Sequence, residues 1–212
     1  GSNVDIMDTD LDDISKLFGD SAGNESEDKE KNDSSSLDMG DHTNSSGLVE
    51  DLVADLGNSD FEIRKDALVQ LEAIKDTHER NIAIELIKWI KKYADSKAGD
   101  NTSFISKAAL DLFQNMSEKG LEPLINDCLK NGDYFMRRVA VDALGRTGRL
   151  SVLPYLVISI DDSDKYTRWH AAKGLGRFVG SSEARDALIR GLADKDPYVR
   201  RRSARSIEKF GG

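Results

Sequence analysis

Three histidines, one cysteine and a cluster of C-terminal arginines are the residues of this chain that could carry chemistry. His78-Glu79 is its only His-Glu pair, and a redox or two-metal centre needs more nitrogen and carboxylate ligands than that. Cys128 has no second cysteine to bridge, and no Cys/His cluster has metal-ligand spacing. There is no phosphate loop, nucleophile elbow or metal motif. The sequence thus points to no catalytic residue, no metal and no cofactor. What stands out is Asp196 to Phe210, DPYVRRRSARSIEKF, with Arg200, Arg201 and Arg202 in a row and Arg205 a turn later. Cations interleaved with aromatics hold anions, either nucleic acid or an acidic protein segment.

The elements that must position these arginines follow from composition and period. The chain has 212 residues and 3 prolines, is 33% charged, and carries a net charge of −9. That charge is uneven: residues 1–47 are strongly acidic, and the stretch from Tyr134 onward is net basic. No run of 18 apolar residues and no secretory leader occur. With a lone thiol, this favours a reducing cytoplasm. Cys128, beside Leu124, Ile125 and Leu129, reads as a small buried apolar group.

Gly1-Ser2 reads as a tag-cleavage scar, and residues 1–7 as that remnant and the start. In residues 8–18, Leu11, Ile14, Leu17 and Phe18 recur at helical spacing, which suits a short docking helix. Residues 19–47 are acidic and nearly devoid of apolar side chains, and are expected to be disordered. From residue 48 helical periodicity runs to the end without strand signals.

Within 48–212 a pattern recurs. Asp60, Asp133, Asp164 and Asp196 each close a turn. Four residues on stand Arg64, Arg137, Arg168 and Arg200; seven on, Ala67, Ala140, Ala171 and Ser203; eleven on, Leu71, Leu144, Leu175 and Ile207. A weaker copy begins at Asn101, with Ile105 in place of the arginine. An aspartate caps a helix, the small residue lets helices approach, and the leucine fills the gap. The expected fold is all-α: an α-solenoid of about five antiparallel helical pairs, roughly 48–74, 79–117, 120–146, 150–178 and 182–210.

The D-x-x-x-R-x-x-A-x-x-x-L pattern resembles HEAT repeats, specifically the short type also found in phycobilisome lyases. The resemblance implies that Asp60, Asp133, Asp164 and Asp196 pair with Arg64, Arg137, Arg168 and Arg200 in a structural ladder, interrupted at Asn101 and Ile105. It also implies that second helices line a concave face. Counting from each anchor, places two, five, six, nine and thirteen are then left for solvent. In the last three repeats these places hold Phe135, Arg138, Val139, Asp142 and Arg146; Tyr166, Trp169, His170, Lys173 and Arg177; and Tyr198, Arg201, Arg202, Arg205 and Lys209. Leaving out Val139, Asp142 and Lys209, these are the candidate partner-binding residues.

The best expectation is a monomeric, non-enzymatic interaction module, an adaptor or scaffold, that binds an acidic protein segment, in cis the chain's own tail. A nucleic-acid binder resembling the HEAT-like DNA glycosylases, with Trp169, Asp142 and the arginines in its cleft, is the alternative. A bilin-lyase-like subunit is a further one. HEAT-type di-iron hydroxylases need several His-Glu pairs, and His78-Glu79 is alone.

Overall fold

The computed structural model describes residues 45–94 and 102–211. The tail motif at Leu11, Ile14, Leu17 and Phe18, residues 19–44 of the acidic linker, and the departure at Asn101 lie outside the described residues, as does the side chain of Ile105; the last three linker positions, expected to be disordered, are corrected, because residues 45–47 are helical and begin α1.

Among the described residues nine α-helices follow one another: α1 (Ser45–Asp55), α2 (Phe61–Ala94), α3 (Thr102–Gln114), α4 (Glu118–Pro123), α5 (Tyr134–Thr147), α6 (Leu153–Ser159), α7 (Lys165–Leu175), α8 (Ser182–Leu192) and α9 (Pro197–Ile207). No strand occurs among the described residues. Short 3-10 turns lead into α6 and close α9, and a π-helical turn, Leu124–Lys130, extends α4 after Pro123.

The anchoring aspartates set the starts of the second helices. Asp133 accepts from Met136 N at 2.9 Å, Asp164 from Thr167 N at 2.8 Å, and Asp196 from Tyr198 N at 2.9 Å and Val199 N at 3.3 Å. Each satisfies amides that the first helical turn leaves without partners. Pro197 follows its cap directly, where a missing N–H costs nothing.

α3, α5, α7 and α9 stack side by side, and α6 packs on α8 in the other layer, while α2 packs on both α1 and α4. The stacking needs small residues at two crossings. A Cβ on Gly174 would stand 3.0 Å from Gly145 Cα, and one on Gly176 would stand 2.9 Å from Ser206 Cβ. One core runs the length of the stack through Leu56, Leu71, Leu86, Phe113, Leu124, Leu144, Leu156, Leu175 and Leu188. Cys128 lies in it, fully buried. Two layers of helices around a shared core, each pair burying its apolar face on the next, make this an all-α solenoid.

The expected break between the first two pairs, at 75–78, is corrected. α2 crosses that stretch as one helix, because KDTHER holds no glycine or proline to stop it. Its first half packs on α1 and its second half on α3 and α4. His78-Glu79 sits in the middle of it. Glu79 accepts hydrogen bonds from the Ser117 amide, at 2.8 Å, and from the Ser117 hydroxyl, and so holds the start of α4.

Candidate functional site

Two of the four repeat arginines carry the ladder, by a different acid from the one expected. Arg137 Nε and Nη2 donate to Asp162 at 2.9 and 3.1 Å, and Arg168 Nε and Nη2 donate to Asp194 at 2.6 and 3.0 Å. The acid stands two residues before each cap. The capping carboxylate of Asp164 is taken instead by Arg138 and by the Thr167 amide and hydroxyl, and that of Asp196 accepts from the Tyr198 and Val199 amides. Asp162 and Asp194 in turn accept from the amides of Asp164 and Asp196, each at 2.8 Å, which fixes the Asp-x-Asp turn. Arg64 and Arg200 donate to carbonyls of their own turns, at Asn58, Ser59, Asp194 and Lys195. The hydrogen bond to Asp194 comes first among the causes that raise the Arg168 pKa. Asp194 itself falls below the usual carboxylate range: burial opposes this, and the Arg168 bond and the Asp196 amide outweigh it.

Several predicted binding residues belong to the same scaffold. Arg138 grips the Asp164 carboxylate through Nε and Nη2, at 2.7 and 2.6 Å. Its guanidinium lies 4.7 Å from the Tyr134 ring centre and 4.3 Å from that of Tyr166. A planar cation held between two rings and a carboxylate joins repeats and is not open to a partner. Asp164 is held below the usual carboxylate range: burial opposes this, and the Arg138 bond and the Thr167 amide and hydroxyl outweigh it. Phe135 is half-buried against the core.

The expectation that place six faces solvent is corrected. Val139 and His170 are buried there, as is Asp142 at place nine, because α5 and α7 press these places together. Asp142 is 3% exposed and lies among Arg146, His170 and Lys173. Arg146 Nε lies 3.1 Å from it, His170 Nδ1 3.2 Å and Lys173 Nζ 4.0 Å. The imidazole contact is close but lacks hydrogen-bond alignment. Burial pushes the Asp142 pKa up, and the charges of His170, Arg146 and Lys173 overcome this, so the carboxyl stays well below its usual range. Sequence spacing missed this cluster. The signal that could have found it is that place nine of one repeat meets place six of the next.

What remains open lies on α7 and α9. Trp169 is half-buried, edge-on to His170 at 5.0 Å between ring centres. Arg202 stacks on its face at 4.4 Å, and Lys173 lies 5.6 Å from it. Tyr198, Arg201, Arg205 and Arg177 are exposed. Arg201, Arg205 and Arg177 make no side-chain hydrogen bond or ion pair among the described residues. The surface is thus an aromatic platform with a cation stacked on it and exposed arginines nearby. It can bind carboxylates and apolar anchors together. Among the described residues no group of three or more His, Cys, Asp or Glu could hold a metal ion, and no helix is long and apolar enough to cross a membrane.

Fold and surface together define an α-solenoid with a cationic-aromatic face at its C-terminal pairs. Residues 153–212 match the family model for HEAT repeats, which covers the last two helical pairs. No curated protein matches the chain. The match shows that this C-terminal segment is similar to HEAT repeats.

Proposed function

We propose that the protein is a non-enzymatic interaction module that binds an acidic protein segment with apolar anchors on the exposed face of α7 and α9. The observation that carries this reading is Arg177, Arg201 and Arg205 standing exposed, with no ion pair among the described residues, near Tyr198 and the Trp169–Arg202 stack. Exposed, unpaired arginines keep their charge available, whereas Arg137, Arg138 and Arg168 spend theirs on the fold. Trp, Tyr and Arg are the side chains that most often anchor interfaces. Residues 8–18 of the chain, acidic with Leu11, Ile14, Leu17 and Phe18, have the chemistry of such a segment.

The glycosylase-like alternative needs a carboxylate that reaches a base. Asp142 is the one beneath the aromatic platform, and it is closed off by Arg146, His170 and Lys173. The interval of 31–32 residues between the last three anchors keeps the short, phycobilisome-lyase repeat type as the subtype we favour.

The test is affinity capture from nuclease-treated extract, comparing the parent chain with Arg201→Glu/Arg205→Glu. A protein retained by the parent and lost from the variant supports the module. Retention of nucleic acid alone, dependent on the same arginines and falling steeply with salt, overturns it.

A further inference from the structure

The repeat arginines share one posture. Nη1 of Arg168 donates to Asp162 O at 2.9 Å and Ser163 O at 3.1 Å, and Nη1 of Arg200 donates to the equivalent Asp194 O at 2.7 Å and Lys195 O at 3.0 Å. This grip on its own turn aims the remaining Nε–Nη2 edge toward the following turn. In Arg137 and Arg168 that edge is filled by the carboxylates of Asp162 and Asp194. In Arg200 no carboxylate among the described residues meets it. Arg201 stands at the place from which Arg138 holds the cap Asp164, and it too has no acid among the described residues. α9 therefore sets a ladder rung that no acid among the described residues fills. The turn that fits it has an acid, any residue, then a capping acid, as at 162–164 and 194–196.

Residues 8–10, Asp8-Thr9-Asp10, have that spacing, and the helical-period set Leu11, Ile14 and Leu17 follows them. We propose that residues 8–18 dock on the outer edge of α9 of the same chain as a surrogate rung, with Asp8 on the Arg200 fork and Asp10 on Arg201. The proposal rests on the reading of α9 as a docking surface and names the segment that occupies its edge. Charge favours it, since the tail is strongly acidic and the chain from Tyr134 onward is net basic. Reach allows it. Stacked helices about 10 Å apart put α9 roughly 40 Å from α2, and residues 19–44 cover at most about 90 Å when extended.

The test is amide hydrogen exchange on the full chain, with Asp10→Arg, Arg201→Asp and the two combined. Arg201 is exposed and Asp10 is outside the described residues, so the packed repeats should survive each change. Amides 11–18 should exchange about tenfold slower than the free-chain rate, at a rate independent of protein concentration. Either single change should restore the free-chain rate, and the combined charge swap should bring protection back. Free-chain exchange in the parent, protection indifferent to Arg201, or protection that grows with protein concentration would each overturn the proposal. The capture result with Arg201→Glu/Arg205→Glu is read separately. An outside partner held by the parent, with free-chain exchange at 11–18, removes this inference alone.

Discussion

Replacing Arg168 by methionine tests the ladder most directly. The Arg168 side chain is 5% exposed and that of Asp194 8%. The guanidinium makes two bonds to the Asp194 carboxylate and two to the carbonyls of Asp162 and Ser163. Methionine keeps the aliphatic stem and removes all four. A buried charge that loses its partner costs about 3–5 kcal/mol. The lower end applies here, because Ser163 is exposed and water can reach its carbonyl. We therefore expect a loss of about 3 kcal/mol. With a urea slope of about 2 kcal/mol per molar, the midpoint falls by roughly 1.5 M. The last two pairs should open first, since a solenoid unit is held by its neighbours. Asp194→Asn preserves the acceptor for the Asp196 amide and removes the charge. In a double-mutant cycle the two changes should couple by at least about 1 kcal/mol. A loss below about 1 kcal/mol for Arg168→Met, or full additivity with Asp194→Asn, would refute the claim that this rung holds the repeats together.

Acid should weaken the fold through Asp142, Asp164 and Asp194. Their folded-state pKa values lie below the ordinary carboxylate value, so their stabilisation is complete above about pH 4 and drains as pH falls further. The urea midpoint should stay flat from about pH 7 to 5 and drop by about pH 3, and a flat profile to pH 3 contradicts the ion pairs. Burial pushes the Cys128 thiol up to about 12. Its reaction with a thiol-exchange reagent near pH 8 should be roughly a thousandfold slower in the folded than in the unfolded chain, and comparable rates would place it at the surface. Gly174→Ala drives a Cβ to 3.0 Å from Gly145 Cα, where only backbone movement can make room. It should cost about 1–3 kcal/mol by thermal or urea unfolding, and a neutral result would mean that α5 and α7 stand further apart.

The fold was legible because the repeat writes each structural role at a fixed place. Aspartate at the anchor, alanine at seven and leucine at eleven each have one physical task, and the structure gives Asp133, Ala140 and Leu144 those tasks. The ladder was legible only on its arginine side. The acid two residues before the cap was hidden, since sequence alone does not tell which of two nearby aspartates each arginine meets: Arg137 takes Asp162 and Arg138 takes the cap Asp164. The run from Phe61 to Ala94 also hid its continuity. A repeat count expects a turn after the first eleven places, but a turn needs a residue that stops the helix, and none is there.

The binding face was the least legible part, for a reason rooted in helix geometry. A face assigned by counting places on one helix ignores the neighbour. Places three, six and ten turn toward the preceding second helix, so His170 meets Asp142, Arg202 meets Trp169 and Gly174 meets Gly145. In the first repeat the described residues provide no preceding second helix, and Ile63 at place three is left 41% exposed where Val199 at the same place is fully buried. Side-chain exposure in a solenoid thus belongs to a pair of repeats and not to one. The same rule explains why the stripe of cations read from the sequence divides in two. Arginines that meet an acid of the following repeat, Arg137, Arg138 and Arg168, become scaffold. Arg201 and Arg205 on α9, which no acid among the described residues meets, keep their charge on the surface.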